Sequence, residues 1–484
     1  MKLRELIADI EVTAMTVDPD TEIRNIRYSS RDVEPGDMFV AVKGYQTDGH
    51  RYIKSAVEAG AAAVLCEDVP AEPGPYVRTA DSRRGLALVS AAYFGHPARE
   101  LTMIGVTGTN GKTTSTMLIK HMLEDCLGAK VGLIGTIANY IGDVEYPAAR
   151  TTPESYDLQK LLRQMADAGC TYGVMEVSSH ALYLDRVTDI RFRAGLFTNL
   201  TQDHLDFHGT MENYAAAKAL LFGISDRAAV NTDDPWAGFM RERAACPVIS
   251  FGMTGGEDVS AADPEFTADG VRFTAVSGDE RVPVRLGIPG RFSVSNALTV
   301  LAAARLLDIP LADAAASLGR ASGVKGRVEV VPTPGDYTIV IDYAHTPDAL
   351  EKILQTMKAV SSGRVVAVFG CGGDRDGTKR PIVGRIAAEN ADFTVVTSDN
   401  PRTEDPLAII DDILAGIPEN APKAVIPDRR EAIAWAMDHH EPGDVIVLAG
   451  KGHETYQEVN GVKNHMDERE LVAEHLRAGG REET

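Results

Sequence analysis

One stretch of the chain, Leu101–Leu118, combines residue types that suit phosphate binding. Its apolar start, Leu101–Val106, predicts a buried strand, and its end predicts a helix. Between them lies the glycine loop, Gly108–Thr114, whose backbone N–H groups, Lys112 and threonine hydroxyls could hold phosphates and Mg²⁺. Val106 stands where the strict P-loop pattern has its first glycine, so this loop is a variant, and a plain turn is the alternative. We interpret the loop as a nucleotide site.

Three further residues could complete a phosphate-transfer site. Glu176 ends a predicted strand, where a carboxylate can hold Mg²⁺, although a structural carboxylate is about as common there. His204 lies in a loop rich in aspartate and histidine, but Mg²⁺ prefers oxygen ligands. Lys218 lies on an alanine- and leucine-rich helix, where a solvated lysine is the usual interpretation. If Lys218 were partly buried, its amine could lose a proton and bind CO₂ as a carbamate, a ligand resembling a carboxylate.

The C-terminal third carries a second set of polar loops after predicted strands. Arg375 follows a glycine turn and Arg402 follows a proline turn, so each guanidinium could bind a carboxylate through two hydrogen bonds. Glu454, in a later loop, could meet an ammonium group. These charges suit a small zwitterion with extra acid groups, and surface ion pairs are the alternative. The glycines at 370–373 lack the GxGxxG spacing, so they are a weak indication of NAD binding.

Short predicted strands alternate with helices, which indicates an α/β fold with parallel sheets. The 484 residues would make about three domains of ~150 residues each. We expect the domains at 1–97, 98–328 and 329–484. In the first, the loops 28–31 and 43–50 could hold a sugar or nucleoside, or they could be ordinary turns.

The composition excludes several classes of protein. A formal net charge of −21 argues against nonspecific nucleic-acid binding. No apolar run approaches the ~18 residues of a membrane span, and the charged start does not resemble a signal peptide. The five cysteines form no CxxC pair, which suits free thiols in a reducing cytosol. We therefore expect a cytoplasmic enzyme that binds neither nucleic acid nor membranes.

Taken together, these motifs resemble the Mur ligase family. The segments that carry the match span nearly the whole chain in the family's order. They are 108–114, 176–180, 199–209, 214–218, 342–347, 399–402 and 450–454. The first region also matches, through Ser30-Arg31 and the loop 44–50. The resemblance implies a domain for the UDP end of the substrate, a central P-loop-type parallel-sheet ATPase domain, and a C-terminal Rossmann-like domain that delivers an amino acid.

The same resemblance implies a role for individual residues. The residues implied to bind ATP are Gly108, Thr109, Asn110, Gly111, Lys112, Thr113, Thr114, Asn296, Asp342 and His345. The residues implied to bind the UDP-linked muramoyl dipeptide are Ser30, Tyr45, Gln46, Thr47, Thr151, Thr152, Ser178 and Arg186. The residues implied to bind diaminopimelate are Arg375, Asp399, Asn400, Pro401, Arg402, Gly450 and Glu454. The implied Mg²⁺ ligands are Thr113, Glu176, His204 and Lys218 as its carbamate, and the implied catalytic residues are Lys112, Glu176, His204 and Lys218.

The activity that the resemblance implies is an ATP-dependent amide ligation in peptidoglycan precursor synthesis. The γ-phosphate of ATP would move to the D-glutamyl γ-carboxylate of UDP-N-acetylmuramoyl-L-Ala-D-Glu, and an amine of meso-diaminopimelate would displace it. Arg402 favours diaminopimelate because lysine-adding relatives lack that arginine. A lysine-adding ligase and a P-loop NTPase switch are the rival hypotheses. We expect a monomer that uses Mg²⁺ and only small-molecule substrates.

Overall fold

The computed structural model describes residues 1–44, 47–267, 270–321, 323–331 and 333–479. Within these residues the chain divides into two compact units. Unit 1 comprises Met1–Ala262, Ala275–Val282 and Ser295–Ser317, and unit 2 comprises Asp263–Thr274, Pro283–Val294 and Leu318–Thr484. No helix of the described residues has both the length and the apolar character needed to cross a membrane.

The first part of unit 1 is a five-stranded sheet in the order β1-β5-β4-β3-β2. Its strands are β1 (Val12–Met15), β2 (Ile26–Arg27), β3 (Met38–Val40), β4 (Ala63–Cys66) and β5 (Tyr76–Thr79), and its helices are α1 (Leu3–Leu6), α2 (Ile53–Glu58) and α3 (Ser82–Tyr93). Short 3₁₀ helices occupy Ser30–Asp32, Gly49–Tyr52 and Pro97–Arg99. The apolar residues of β3 and β4 are fully buried, as the continuous apolar runs predict for strands covered on both faces.

The second part of unit 1 is built around a larger, mostly parallel sheet. Its elements in chain order are β6 (Thr102–Thr107), α4 (Lys112–Leu127), β7 (Val131–Ile134), β8 (Ala138–Ile141), β9 (Val144–Pro147), α5 (Ser155–Asp167), β10 (Tyr172–Glu176), α6 (Ser179–Tyr183), β11 (Phe192–Phe197), α7 (Leu205–His208), α8 (Met211–Gly223), β12 (Ser225–Asn231), α9 (Ala237–Glu242) and β13 (Val248–Gly252). Strand β6 lies between β10 and β11 and is parallel to both. The carboxyl ends of these three strands therefore meet at one edge, where ligands bind in open α/β sheets.

Three further strands and two helices follow these elements in the sequence, and the strands continue the same sheet beyond β13. They are β14 (Val259–Thr267), β15 (Gly270–Ser277), β16 (Glu280–Leu286), α10 (Arg291–Leu306) and α11 (Leu311–Arg320). The sequence between 255 and 284 predicts either β-strands or loops, and the structure has strands there. Helix α10 begins five residues before the predicted start at Asn296, because two serines, which favour caps and turns over helix interiors, obscure its first turn in the sequence.

Unit 2 contains a six-stranded sheet in the order β17-β18-β22-β19-β20-β21. The elements are β17 (Glu329–Val331), β18 (Thr338–Asp342), α12 (Pro347–Val360), β19 (Val365–Phe369), α13 (Lys379–Asn390), β20 (Phe393–Val396), α14 (Pro406–Leu414), β21 (Lys423–Val425), α15 (Arg429–Asp438), β22 (Val445–Ala449), β23 (Tyr456–Val459), β24 (Val462–His465) and α16 (Glu468–Gly479). Strands β18 to β22 are parallel within this sheet, and β17 is antiparallel to β18. The prediction of an α/β fold with parallel sheets is confirmed, whereas the domain limits at 97 and 328 remain a prediction.

Candidate active site

The glycine loop connects β6 to α4 and is held closed by its own lysine. Lys112 Nζ donates hydrogen bonds of 2.9 Å to the carbonyl oxygens of Gly108 and Thr109. Asn199 Oδ1 accepts from Asn110 N at 2.9 Å, and Thr198 Oγ1 donates to Asn110 O at 2.7 Å. These four hydrogen bonds define the shape of the loop. Its lysine would exchange two carbonyl contacts for phosphate oxygens.

Two glycines of the loop are required by its geometry. A Cβ on Gly108 would collide with Thr198 Oγ1. Gly111 begins α4 with φ +82°, a left-handed conformation, and a Cβ there would lie 2.6 Å from Asn296 Oδ1. Asn296 is itself buried on α10, so the structure places this predicted ATP ligand against the loop.

Replacing Gly111 by alanine is expected to weaken ATP binding at least tenfold. The substitution imposes about 1–2 kcal/mol of left-handed strain and displaces Asn296. Gly128→Ala is the matched control, since Gly128 caps the other end of α4 at φ +59° with open space around it. Calorimetric titration with ATP, alongside thermal melting, measures both variants. Equal losses of ATP affinity in the two variants would contradict the assignment of Gly111 to the nucleotide site.

Lys218 is buried, which removes the solvated alternative for this residue. Only 1% of it is exposed, and Nζ donates to Gly108 O at 2.8 Å. The same carbonyl accepts from Lys112, so two lysine amines converge on one oxygen. Burial, and then the charge of Lys112, lower the pKa of Lys218 well below its usual value. A lower pKa increases the fraction of neutral amine, which is the form that reacts with CO₂.

Glu176 ends β10 beside the start of the glycine loop, opposite Val106 in the parallel register. Its two carboxylate oxygens accept hydrogen bonds from Thr136, one from the backbone N–H at 2.8 Å and one from the hydroxyl at 3.0 Å. Thr136 Oγ1 also lies 3.0 Å from Thr151 Oγ1. The structure therefore connects a predicted metal ligand to a predicted substrate ligand through one threonine.

The other predicted dipeptide ligands join the same network. Thr152 Oγ1 donates to Glu176 O at 2.8 Å and accepts from Ser178 N at 3.1 Å. Arg186 Nη1 donates to Thr152 O at 3.1 Å, while Nη2 lies 2.6 Å from Glu154 Oε1. The side chain of Arg186 is only 10% exposed, so its charge is oriented by these contacts rather than by solvent.

His204 lies in a cluster of aromatic and histidine side chains. It adopts φ +53° at the start of α7, and its ring centroid is 4.9 Å from that of His180 and 6.1 Å from that of Tyr214. The amine of Lys218 lies 4.5 Å from the centroid of the same Tyr214 ring, so His204 and Lys218 flank one side chain. Burial lowers the pKa of His180 to about 4, which makes it a weak proton acceptor at neutral pH.

The residues present fit Mg²⁺ by donor chemistry. The predicted set offers one carboxylate, one imidazole, a threonine hydroxyl and, after carbamylation, a second carboxylate-like group on Lys218. The described residues contain no cluster of three or more His, Cys, Asp or Glu side chains suited to a metal.

In unit 2, the side chains of two predicted diaminopimelate ligands, Arg375 and Arg402, lie close to Gly372. A Cβ on Gly372 would lie 2.9 Å from Arg402 Nη1 and 4.0 Å from Arg375 Cγ. Arg402 Nη1 donates to Gly373 O at 2.7 Å, and Nε lies 3.6 Å from Glu458 Oε2. The side chain of Arg402 is 22% exposed and that of Arg375 is solvent-exposed, so both can reach a ligand.

Asn400, Glu454 and Gly450 lie on two adjacent loops of unit 2. Asn400 Nδ2 donates to Glu454 Oε2 at 2.8 Å. Asp399 Oδ1 accepts from Asn400 N, and a Cβ on Gly450 would lie 2.7 Å from Asp399 Oδ2. The loop after β20 and the loop after β22 are therefore in direct contact, as the ends of strands in one parallel sheet predict.

The remaining residues predicted to bind ATP or the UDP-linked substrate are Asp342, His345, Ser30, Tyr45, Gln46 and Thr47. Asp342 is buried in unit 2 and accepts from the N–H groups of Val328 and Ala344, while His345 is exposed. Ser30 begins a 3₁₀ helix, and Thr47 Oγ1 lies 3.4 Å from Tyr52 OH. Within the described residues, no side-chain hydrogen bond joins Ser30 or Thr47 to the other predicted substrate ligands. The predictions for Tyr45 and Gln46 lie outside the described residues.

The sequence interpretation missed several residues that hold the site together. Thr136 binds both oxygens of Glu176, and Arg380 binds Gly372 O and the carboxylate of Glu404. Lys451 is fully buried between predicted diaminopimelate ligands. For Lys451 a weak signal existed, because a lysine between two glycines directly after a buried strand lies at the ligand-binding edge of the sheet.

Comparisons with known proteins identify the family. The models of the Mur ligase family catalytic domain, the Mur ligase middle domain and the Mur ligase glutamate ligase domain match residues 22–118, 106–304 and 326–452. The chain belongs to the Mur ligase family and is a ligase.

The similarity extends over the full length of particular family members. The chain is 46% identical to the UDP-N-acetylmuramoyl-L-alanyl-D-glutamate–2,6-diaminopimelate ligase of Clostridium botulinum, over 94% of this chain and 95% of that protein. It is also 46% identical to ligase 1 of the same name from Clostridium acetobutylicum, over 99% of each chain. A solved structure of a ligase of that name matches with a TM-score of 0.74 and 33% identity, covering 99% of each chain.

Proposed function

We propose that the chain is an ATP-dependent ligase that joins 2,6-diaminopimelate to UDP-N-acetylmuramoyl-L-alanyl-D-glutamate. The hydrogen bond between Asn400 and Glu454 carries the proposal, because it joins an amide and a carboxylate, and the guanidinium of Arg402 belongs to the same loop as Asn400. Diaminopimelate has ammonium and carboxylate groups at both ends, so it can use all three. An NTPase switch would have no use for such a site.

The reaction needs two successive displacements. A γ-carboxylate oxygen of the D-glutamyl residue attacks the γ-phosphorus of ATP, and the bond to the β-γ bridging oxygen breaks to release ADP. A neutral amine of diaminopimelate then attacks the acyl phosphate carbonyl, and collapse of the tetrahedral adduct releases phosphate and one proton. The product is an amide, and ATP supplies the driving force.

Residues of unit 1 have defined tasks in the first displacement. Lys112 neutralises charge on the phosphoryl oxygens once it leaves the carbonyls of the loop. Arg186 and the Thr152–Ser178 contact orient the carboxylate-bearing end of the dipeptide. Thr113, Glu176, His204 and the carbamate of Lys218 would hold Mg²⁺. When bound, this ion supplies positive charge to the phosphate oxygens.

Other parts of the proposal follow from the family. Ser30 and the Tyr45–Thr47 segment bind the uridine diphosphate, and Asn296, Asp342 and His345 bind the nucleotide of ATP. The domains at 1–97, 98–328 and 329–484 serve the UDP end, ATP and the amino acid in turn. The enzyme acts in the cytoplasm as a monomer on small-molecule substrates.

Phosphate release tests the proposal. The purified chain is incubated with ATP, Mg²⁺ and the UDP-muramoyl dipeptide, and diaminopimelate or lysine is added in separate reactions. We expect release that depends on diaminopimelate. Release without any amino acid would instead indicate an NTPase, and release with lysine alone would assign the lysine-adding reaction.

A further inference from the structure

The side chain of Lys451 is fully buried in the loop between β22 and β23. Its Nζ donates to Glu454 Oε2 at 2.9 Å and to Asn400 Oδ1 at 3.1 Å. The ring of Tyr456 lies on another side, with its centroid 5.5 Å from Nζ. The buried ammonium therefore contacts two predicted diaminopimelate ligands and one aromatic face.

A fully buried ammonium is costly unless its charge is compensated. A long lysine chain on a surface loop would normally extend its amine into water. Lys451 instead directs its amine inward, to a carboxylate whose side chain is only 14% exposed. This inward direction, which is unusual for a lysine on a loop, indicates that the ammonium group orients the two side chains that it contacts, Glu454 and Asn400.

The contacts of Lys451 fix which oxygen of Glu454 is engaged. Lys451 Nζ and Asn400 Nδ2 both donate to Oε2, at 2.9 Å and 2.8 Å. Within the described residues, both hydrogen bonds that other side chains donate to the Glu454 carboxylate are accepted by Oε2. The second oxygen, Oε1, is the one left to receive an ammonium group of a substrate.

The same lysine fixes the amide of Asn400. Asn400 Oδ1 accepts from Lys451 Nζ at 3.1 Å and from Glu458 N at 2.9 Å. If the amide were rotated by half a turn, its NH₂ group would face two donors, and the Glu454 carboxylate would face an oxygen. Lys451 thus orients Asn400 as well as Glu454.

We propose that Lys451 is a positioning residue for the amino-acid substrate, which sets Glu454 and Asn400 to receive an ammonium group of diaminopimelate. The inference rests on the proposed function. It predicts that loss of Lys451 affects recognition of the amino acid and leaves recognition of ATP and the UDP-linked dipeptide intact. The partners of its amine described above are Glu454, Asn400 and Tyr456, all in unit 2.

Steady-state kinetics of Lys451→Met and Lys451→Gln test the proposal. We expect KM for diaminopimelate to rise about 10- to 100-fold, as when a hydrogen-bonded partner of a buried charge is removed. KM for ATP and for the dipeptide should change less than twofold. Lys463→Gln is the matched control, because Lys463 also lies over the Tyr456 ring, at 4.1 Å, but is exposed on β24. It should behave as the unaltered enzyme.

A double-mutant cycle with Glu454→Gln separates positioning from general loss of structure. If Lys451 acts through Glu454, Lys451→Met should raise KM for diaminopimelate less than threefold in the Glu454→Gln background. Equal effects of Lys451→Met in both backgrounds, or parallel rises in all three KM values, would overturn the proposal.

Thermal melting of each variant identifies any variant that fails to fold. If Lys451→Met does not fold, Lys451→Gln, which keeps a hydrogen-bond donor at this position, provides the test. The unaltered chain serves as the test of the proposed function. If it shows no diaminopimelate-dependent turnover, the function fails. If it turns over normally and the Lys451 variants retain its KM for diaminopimelate, only the inference fails.

Discussion

Lys218→Ala is expected to lower the rate of phosphate release by roughly 10²–10³-fold, the cost of losing one preorganised electrostatic group in an active site. The buried amine of Lys218 has a pKa lowered well below its usual value, so the neutral form is available to bond to the carbon of CO₂ and release a proton. The resulting carbamate would add a negative charge next to the glycine loop. Alanine removes both the amine and the carbamate.

Chemical rescue distinguishes a carbamate from a structural ammonium. Added acetate or propionate should partly restore activity to Lys218→Ala, because a small carboxylate can occupy the space of the carbamate. The control is Lys160→Ala, which removes an exposed lysine on α5. Full activity of Lys218→Ala would refute the catalytic role, and a folded, inactive variant that no carboxylate restores would refute the carbamate.

Arg402→Ala is expected to lower kcat/KM for diaminopimelate by the equivalent of about 2–5 kcal/mol, the range for removing one partner of a desolvated charge pair. Arg402 Nη1 donates to Gly373 O, and its Nε lies 3.6 Å from Glu458 Oε2, so contacts within the protein orient the guanidinium. Such an arginine discriminates strongly, because an amino acid without the second carboxylate leaves it unpaired.

The effect of Arg402→Ala on diaminopimelate turnover is compared with its effect on the affinity for ATP. Calorimetric titration of Arg402→Ala with ATP should give a dissociation constant within a factor of two of that of the unaltered protein. Arg385→Ala is the matched control, since Arg385 lies exposed on α13 and pairs with Glu389 one turn away. Equal losses of ATP affinity and diaminopimelate turnover in Arg402→Ala would contradict its assignment to the amino acid.

The parts of the fold and site that depend on local patterns could be predicted from the sequence. The strand before the glycine loop, the strand before Glu176 and the strand before Asp399 are short apolar runs that end in polar residues, and the structure has all three. Parallel packing then brings their ends to one edge within each sheet. The position of Glu176 at the end of β10 follows from this rule.

The environment of Lys218 could not be predicted locally. Its helical context is compatible with a solvated amine. The structure instead buries the side chain, and its amine donates to the carbonyl of Gly108, which is 110 residues away in the sequence. The structure also supplies the reason for its lowered pKa, which is burial next to Lys112. The structure thus shows Lys218 buried, in contrast to the solvated position that is usual for a lysine on a helix, and its role as a metal ligand remains a prediction.

The direction of buried polar side chains is the second feature that the sequence does not encode locally. Nothing in the residues around Thr136 indicates that it binds both oxygens of Glu176, and nothing around Lys451 indicates that its amine points inward. Each depends on a partner from another strand of the sheet or the loop after it. These contacts become visible only when the strands are assembled.

A competition experiment tests the central claim most directly. The chain is supplied with ATP, Mg²⁺, UDP-N-acetylmuramoyl-L-alanyl-D-glutamate and equal concentrations of diaminopimelate and lysine, and the UDP-linked products are identified by mass spectrometry. We predict that the product carrying diaminopimelate predominates and that it accumulates in step with phosphate. A product that carries mainly lysine, or phosphate released without any amide product, would contradict the account.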